Sequence, residues 1–300
     1  MVVALALLTG CTRGGDDPTS PDPVPPAAAP STAVGDDDAC RSASDQEIEA
    51  GGTTWRYDVQ VPPGATADDR LPVVYLLHGL GGSGAQIAAY TGFAEAARTD
   101  DFVLVTPQAN GVPPEWGLDD GPGADVDLVR ALLGAVPDRT CADPDRQYVA
   151  GLSNGSALAF ALACAGDLPV RAYGGVAAAG FEPQCEAAPP TSFVYVHGTA
   201  DEVVPFDGGP TPIRPVRPVD ETLAAWARHD GCDATPEVSR AAADVERRAW
   251  TGCDAGSRIE AYVVEGGGHT WPGAQPVPFL GATSDGIDAT DVMLEFFGLA

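Results

Sequence analysis

The pentapeptide Gly151-Leu152-Ser153-Asn154-Gly155 constrains this chain more than any other feature, because of what flanks it. Residues 147–150 before it have the β-prone, apolar character of a strand, and an alanine-rich stretch with helical spacing occupies 153–165. A strand that turns sharply into a helix has no room for side chains at the ends of the turn. Glycine at both ends meets that demand. The serine would stand at the tip, over a helix N-terminus that favours negative charge. This is a setting in which a serine can act as a nucleophile.

From about residue 50 the chain alternates short β-branched or aromatic runs with alanine- and leucine-rich segments, the pattern of an α/β domain. Strands are predicted at 55–61, 72–77, 102–106, 147–150, 175–178, 192–197 and 259–265. Helices are predicted at 85–99, 124–136, 153–165, 218–229 and 287–297. No internal repeat and no interdomain linker interrupts this stretch, so a single catalytic domain is expected over 40–300.

Two further motifs fall at predicted strand ends: His197-Gly198-Thr199-Ala200-Asp201 and Gly266-Gly267-Gly268-His269. Ser153, Asp201 and His269 then follow the chain order nucleophile, acid, base that α/β-hydrolases use, each where ligands bind in open parallel sheets. The chemistry needs all three. Ser153 attacks, His269 takes its proton and returns it to the leaving alcohol, and Asp201 holds the imidazole. Glu202 and Asp207 are rival acids, with Asp201 preferred as the carboxylate nearest the strand end. The glycine-rich run from Leu76 to Ser83 is expected to complete an oxyanion hole with the backbone N–H groups of Leu80 and Asn154. His78 is read as fixing this loop. His197 has no evident partner in its motif, and His229 is given no role. Trp116 and Trp271 are expected at the mouth of the site, where flat rings would receive a polyester repeat or a phenolic acyl group. No arginine lies inside the triad motifs, which points to neutral esters.

These strings resemble the extracellular polyhydroxybutyrate depolymerase and feruloyl esterase group of α/β-hydrolases. The resemblance is carried by LLHGLGGSG, DPDRQYVAGLSNGS, HGTADEVVPFDGG, and EGGGHTWPG followed by TSDGIDAT. Trp271-Pro272-Gly273 directly after the histidine is its most specific part, since triad logic does not require it. The resemblance implies an α/β-hydrolase fold, a mostly parallel sheet with helices on both faces, and a serine ester hydrolase with Ser153, Asp201 and His269 as its triad. Short hydroxyalkanoate oligomers or polyester are the leading substrate expectation, with feruloyl or acetyl-xylan esters as the alternative. Ser156, Glu202 and Leu80 depart from residues common in the family.

Composition excludes other classes. A formal charge of −27 would repel nucleic-acid phosphates and anionic lipid headgroups. All 16 basic residues are arginine, which removes the lysines of P-loops, kinases and Schiff-base enzymes. The start of the chain reads as a leader. An apolar run too short to span a bilayer ends at Leu8-Thr9-Gly10-Cys11, which looks like a bacterial lipobox, so residues 1–11 are expected to be a signal segment with a lipid on Cys11. No basic residue precedes the run, so the true start is expected upstream. Residues 12–39, rich in Pro, Asp and Ala, would form a disordered tether reaching on the order of 30 Å.

Six cysteines remain, an even number in an exported chain, and nearest neighbours suggest Cys164 with Cys185, Cys232 with Cys253, and Cys40 with Cys141 by remainder. The thiols lack the spacing of a zinc site, and neither metal nor cofactor is expected. A monomer in the cell envelope or outside the cell is expected, touching membrane only through Cys11. A non-catalytic surface-binding lipoprotein would share the leader and tether but would have no use for the triad.

Overall fold

In the computed structural model, residues 40–117, 123–180, 183–211 and 215–300 are described, all within one compact unit, Gly35–Ala300. The expected leader, Cys11 and the tether lie outside the described residues. The elements are, in chain order, β1 (Ala43–Ala50), β2 (Thr53–Gln60), β3 (Leu71–Leu77), α1 (Gly84–Thr91), α2 (Phe93–Thr99), β4 (Val103–Gln108), α3 (Ala124–Arg139) and β5 (Ala142–Leu152). There follow α4 (Asn154–Ala165), β6 (Ala172–Val176), β7 (Phe193–Gly198), α5 (Val219–His229), β8 (Glu237–Ala242), β9 (Val245–Trp250), β10 (Ile259–Val264) and α6 (Ala289–Phe297).

A strand that is apolar on both faces belongs in the middle of a covered sheet, and β3, LPVVYLL, is buried at every position. The sheet runs β1-β2-β4-β3-β5-β6-β7-β10-β9-β8. Its central strands, from β4 across to β10, pair parallel. Alternate residues of β3 feed two separate cores. Val73, Tyr75 and Leu77 pack with Leu132 of α3, Leu158 of α4 and Trp226 of α5. Val74 and Leu76 pack with Ile87 of α1, Phe93 of α2 and Met293 of α6. Helices therefore cover both faces, and every parallel strand delivers its carboxyl end to one edge of the sheet. Among the described residues no helix is long and apolar enough to cross a membrane.

Two expectations are corrected. The helix predicted at 85–99 is two helices, α1 and α2, because Gly92 takes a left-handed conformation at φ 84° and redirects the chain. Three antiparallel strands, β1, β8 and β9, were not anticipated. β8 reads EVSRAA and is exposed along nearly its whole length, so it carries no apolar alternation. Backbone pairing with β9 holds it in place.

The six cysteines pair as Cys40–Cys141, Cys164–Cys185 and Cys232–Cys253. The last bridge links the chain just beyond α5 to the segment leading into β10. Its loop spans 21 residues, against 101 for Cys40–Cys141. Replacing both cysteines of the shorter loop by serine should lower stability by about 3 kcal/mol, and of the longer by about 4–5 kcal/mol, in urea unfolding. Equal losses would show that loop closure does not govern their contribution.

Candidate active site

Ser153 sits between β5 and α4 with φ 55° and ψ −121°, a conformation that side-chain-bearing residues rarely hold. The glycines around it are required by contact. A Cβ on Gly151 would lie 2.4 Å from the Gly155 carbonyl oxygen, and one on Gly155 would lie 2.3 Å from the Leu77 carbonyl oxygen. The Ser153 amide donates to Val176 O at 2.8 Å, which ties the tip of the turn to β6.

Asp201 and His269 arrive on the loops after β7 and β10, neighbours in the sheet. The loops touch: a Cβ on Gly198 would meet the Gly267 carbonyl oxygen at 2.2 Å. Gly268 and His269 donate their amides to Ala282 O and Leu280 O at 2.8 and 2.7 Å, which fixes the backbone that carries the imidazole. His269 Nδ1 donates to Asp201 Oδ2 at 2.7 Å, and its Nε2 lies 2.8 Å from Ser153 Oγ, placed to accept the hydroxyl proton. Asp201 Oδ1 accepts from the amides of Val203 and Val204, both at 2.8 Å. Burial would raise the Asp201 carboxyl, but hydrogen bonds from His197, His269 and the Val204 amide outweigh it and hold the group well below the usual carboxylate range. It stays ionised beneath the imidazole. Glu202 and Asp207, the rival acids, are exposed on the same loop.

The glycine-rich loop after β3 packs against the serine, since a Cβ on Gly79 would lie 3.5 Å from Ser153 Cβ. Its Gly81 amide donates to Pro114 O at 2.8 Å and its Gly82 amide to Gly79 O at 3.0 Å, which makes Leu80 N–H the loop's candidate oxyanion donor. Asn154 opens α4, where amides have no partner within the helix. His78 fixes the loop as expected. Its Nδ1 donates to Gly79 O at 2.7 Å and its Nε2 accepts the Ala109 amide at 3.0 Å. Burial lowers the His78 pKa, partly offset by the Gly79 bond, so the ring stays neutral in this bracket.

Both tryptophans are corrected: neither borders the mouth. Trp116 is fully buried, its indole donating to His78 O at 2.8 Å. Its backbone is clasped by the Asn154 side chain, whose Oδ1 accepts the Trp116 amide at 2.7 Å while Nδ2 donates to the Trp116 carbonyl at 3.0 Å. Trp271 is also fully buried, donates to Thr290 Oγ1 at 3.1 Å and lies edge-on to Phe93. A buried indole needs a partner for its one N–H, and each ring has found it inside the scaffold. The large apolar side chains that stay exposed are ones that sequence patterning passed over. Of the five large apolar side chains exposed among the described residues, Leu80, Val112, Val203 and Phe279 stand on loops at the carboxyl edge of the sheet. Val112 precedes the segment that binds Gly81, Val203 follows Asp201, and Phe279 adjoins Leu280, the partner of the His269 amide. His197 is corrected too, because it has a partner in its motif: Nε2 is 3.3 Å from Asp201 Oδ2, and 2.9 Å from Val204 O just beyond the motif. The four-residue spacing from His197 to Asp201 was the available signal. Among the described residues no group of three or more His, Cys, Asp or Glu could hold a metal ion.

The burial of Trp271 generates a test. Trp271→Ala should destabilise the protein by about 3–5 kcal/mol, as large-to-small core changes do. Below its lowered melting temperature it should change KM for bulky and small esters alike. A selective rise for the bulky ester would return Trp271 to the substrate site.

No protein-family model matches the chain. A protein of Nocardia uniformis subsp. tsuyamanensis named "Putative esterase NocK" is 29% identical to it, over 98% of this chain and 96% of its own. Feruloyl esterase D of Neurospora crassa is 26% identical over 82% of this chain and 84% of its own. Among solved structures, an acetyl xylan esterase from Aspergillus awamori superimposes with a TM-score of 0.61 at 16% identity, over 85% of this chain and 99% of its own. The chain therefore has the α/β-hydrolase fold and is similar in sequence to proteins named as esterases, feruloyl esterases among them.

Proposed function

We propose that this protein is a serine esterase that cleaves neutral carboxylic esters through an acyl-enzyme, with short hydroxyalkanoate polyester or its oligomers as the substrate class. The observation that carries the reading is the continuous hydrogen-bonded line from Asp201 through His269 to Ser153. As Ser153 Oγ attacks the ester carbonyl, His269 Nε2 takes its proton, and Asp201 stabilises the imidazolium that forms. The developing oxyanion is held by the N–H groups of Leu80 and Asn154, each of which contributes on the order of 3 kcal/mol to the transition state. His269 then protonates the leaving alcohol, and a water activated by the same ring releases the acid.

The exposed apolar side chains on these loops favour this substrate class. Leu80, Val112 and Val203 are aliphatic and Phe279 is the one aromatic among them, side chains suited to the methylene and methyl groups of an aliphatic ester repeat. With both tryptophans buried, a phenolic acyl ring loses the flat partners it was expected to find. Feruloyl or acetyl-xylan esters remain the second reading, favoured by the names of the relatives. Three disulfides fit a compartment outside the cytoplasm, and a lipid on Cys11 would hold the enzyme there.

A hydrolysis panel tests the reading. The parent protein should cleave 3-hydroxybutyrate oligomers and p-nitrophenyl acetate, with kcat/KM for the oligomers above that for methyl ferulate. Ser153→Ala should lower kcat by a factor on the order of 10⁵ or more on both, with the melting temperature retained. Preference for methyl ferulate would install the second reading, and a Ser153→Ala enzyme near parental rate would remove the mechanism.

A further inference from the structure

His197 is the penultimate residue of β7, is buried, and has each of its ring nitrogens engaged. On one side Tyr195 OH meets Nδ1. On the other, Nε2 faces two acceptors, Val204 O at 2.9 Å and Asp201 Oδ2 at 3.3 Å. We infer that Tyr195 and His197 act as a positioning pair behind the triad acid, the phenol fixing the His197 tautomer whose Nε2–H pins the 201–204 loop and the Asp201 carboxylate against His269. The inference rests on the esterase reading.

The tautomer follows from the partners. A neutral imidazole carries one N–H, and a carbonyl and a carboxylate can only accept, so that hydrogen belongs on Nε2. Nδ1 must then accept, and Tyr195 must donate. The Tyr195 hydroxyl keeps its proton, because burial and then the negative Asp201 both push its pKa well above the ordinary value. The rings are also held by packing, with Phe206 edge-on to His197 and Phe160 edge-on to Tyr195.

The reverse tautomer would turn a lone pair towards Val204 O and Asp201 Oδ2 together. Repulsion would move both, and Asp201 Oδ2 is the same oxygen that holds His269 Nδ1 at 2.7 Å. The displacement would pass directly to the base. Val204 couples the loop a second time, since its amide donates to Asp201 Oδ1 while its carbonyl accepts from His197. A small rotation of the His197 ring would therefore disturb both carboxylate oxygens. A tyrosine three residues before the strand end reaches the catalytic line without touching it.

The test uses steady-state hydrolysis of p-nitrophenyl acetate. Tyr195→Phe removes one oxygen and should lower kcat on the order of tenfold, with KM within about twofold, because an interaction acting on the base in the transition state is lost. His197→Gln keeps an N–H at the reach of Nε2 without needing a tautomer, and should retain more turnover than His197→Leu. In the His197→Gln background, Tyr195→Phe should have no further effect. Tyr195→Phe with parental kcat, or with the same loss in the His197→Gln background, would overturn the pair and make Tyr195 a packing residue. Should the His197 variants fail to fold, Tyr195→Phe alone decides. A parent that hydrolyses no ester would end the esterase reading and the inference with it, whereas an active parent with insensitive variants ends the inference alone.

Discussion

Ser153 holds a conformation that costs of the order of 1–3 kcal/mol and that only close contact between β5, α4 and β3 sustains. The contact is one of backbones: the Gly155 Cα lies so near the Leu77 carbonyl that no side chain fits between them. The strain is small beside what anchors it. Leu158, Phe160 and Leu162 of α4 are buried, and each such side chain contributes about 1.5–3 kcal/mol when removed from water. The helix that displays the serine is thus held by its own apolar faces, and the turn has nowhere to relax.

Around this point the fold works as a set of converging loops. The β3 loop is braced from behind by His78 and Trp116, and Asn154 clasps Trp116, so the two candidate oxyanion donors share one support. The β7 and β10 loops meet at Gly198 and Gly267 and bring Asp201 and His269 into line. Trp271 anchors the loop beyond His269 to Thr290 of α6. Side chains that look like substrate contacts in the sequence are here the frame.

The parts of the fold that were legible in the sequence are those with a local physical cause. The apolar run of β3, the glycines of the turn and the order of Ser153, Asp201 and His269 each mark one strand end, and the parallel sheet brings those ends together. The edge strands were hidden because β1 and β8 carry polar residues and depend on pairing with a neighbour. The tryptophans misled because a motif fixes where a residue lies along the chain and not which way its ring turns. Trp271 lies two positions from the base yet turns into the core with Phe93. His197 was passed over for a related reason: its partners, Val204 and Asp201, meet it only when the loop folds back over the strand end.

The account stands on Ser153 as the nucleophile, and covalent labelling reads that most directly. Intact-mass measurement after exposure to a fluorophosphonate should show a single adduct, and peptide mapping should place it on the Ser153 peptide. An adduct on another residue, or an active enzyme that takes none, would contradict the account.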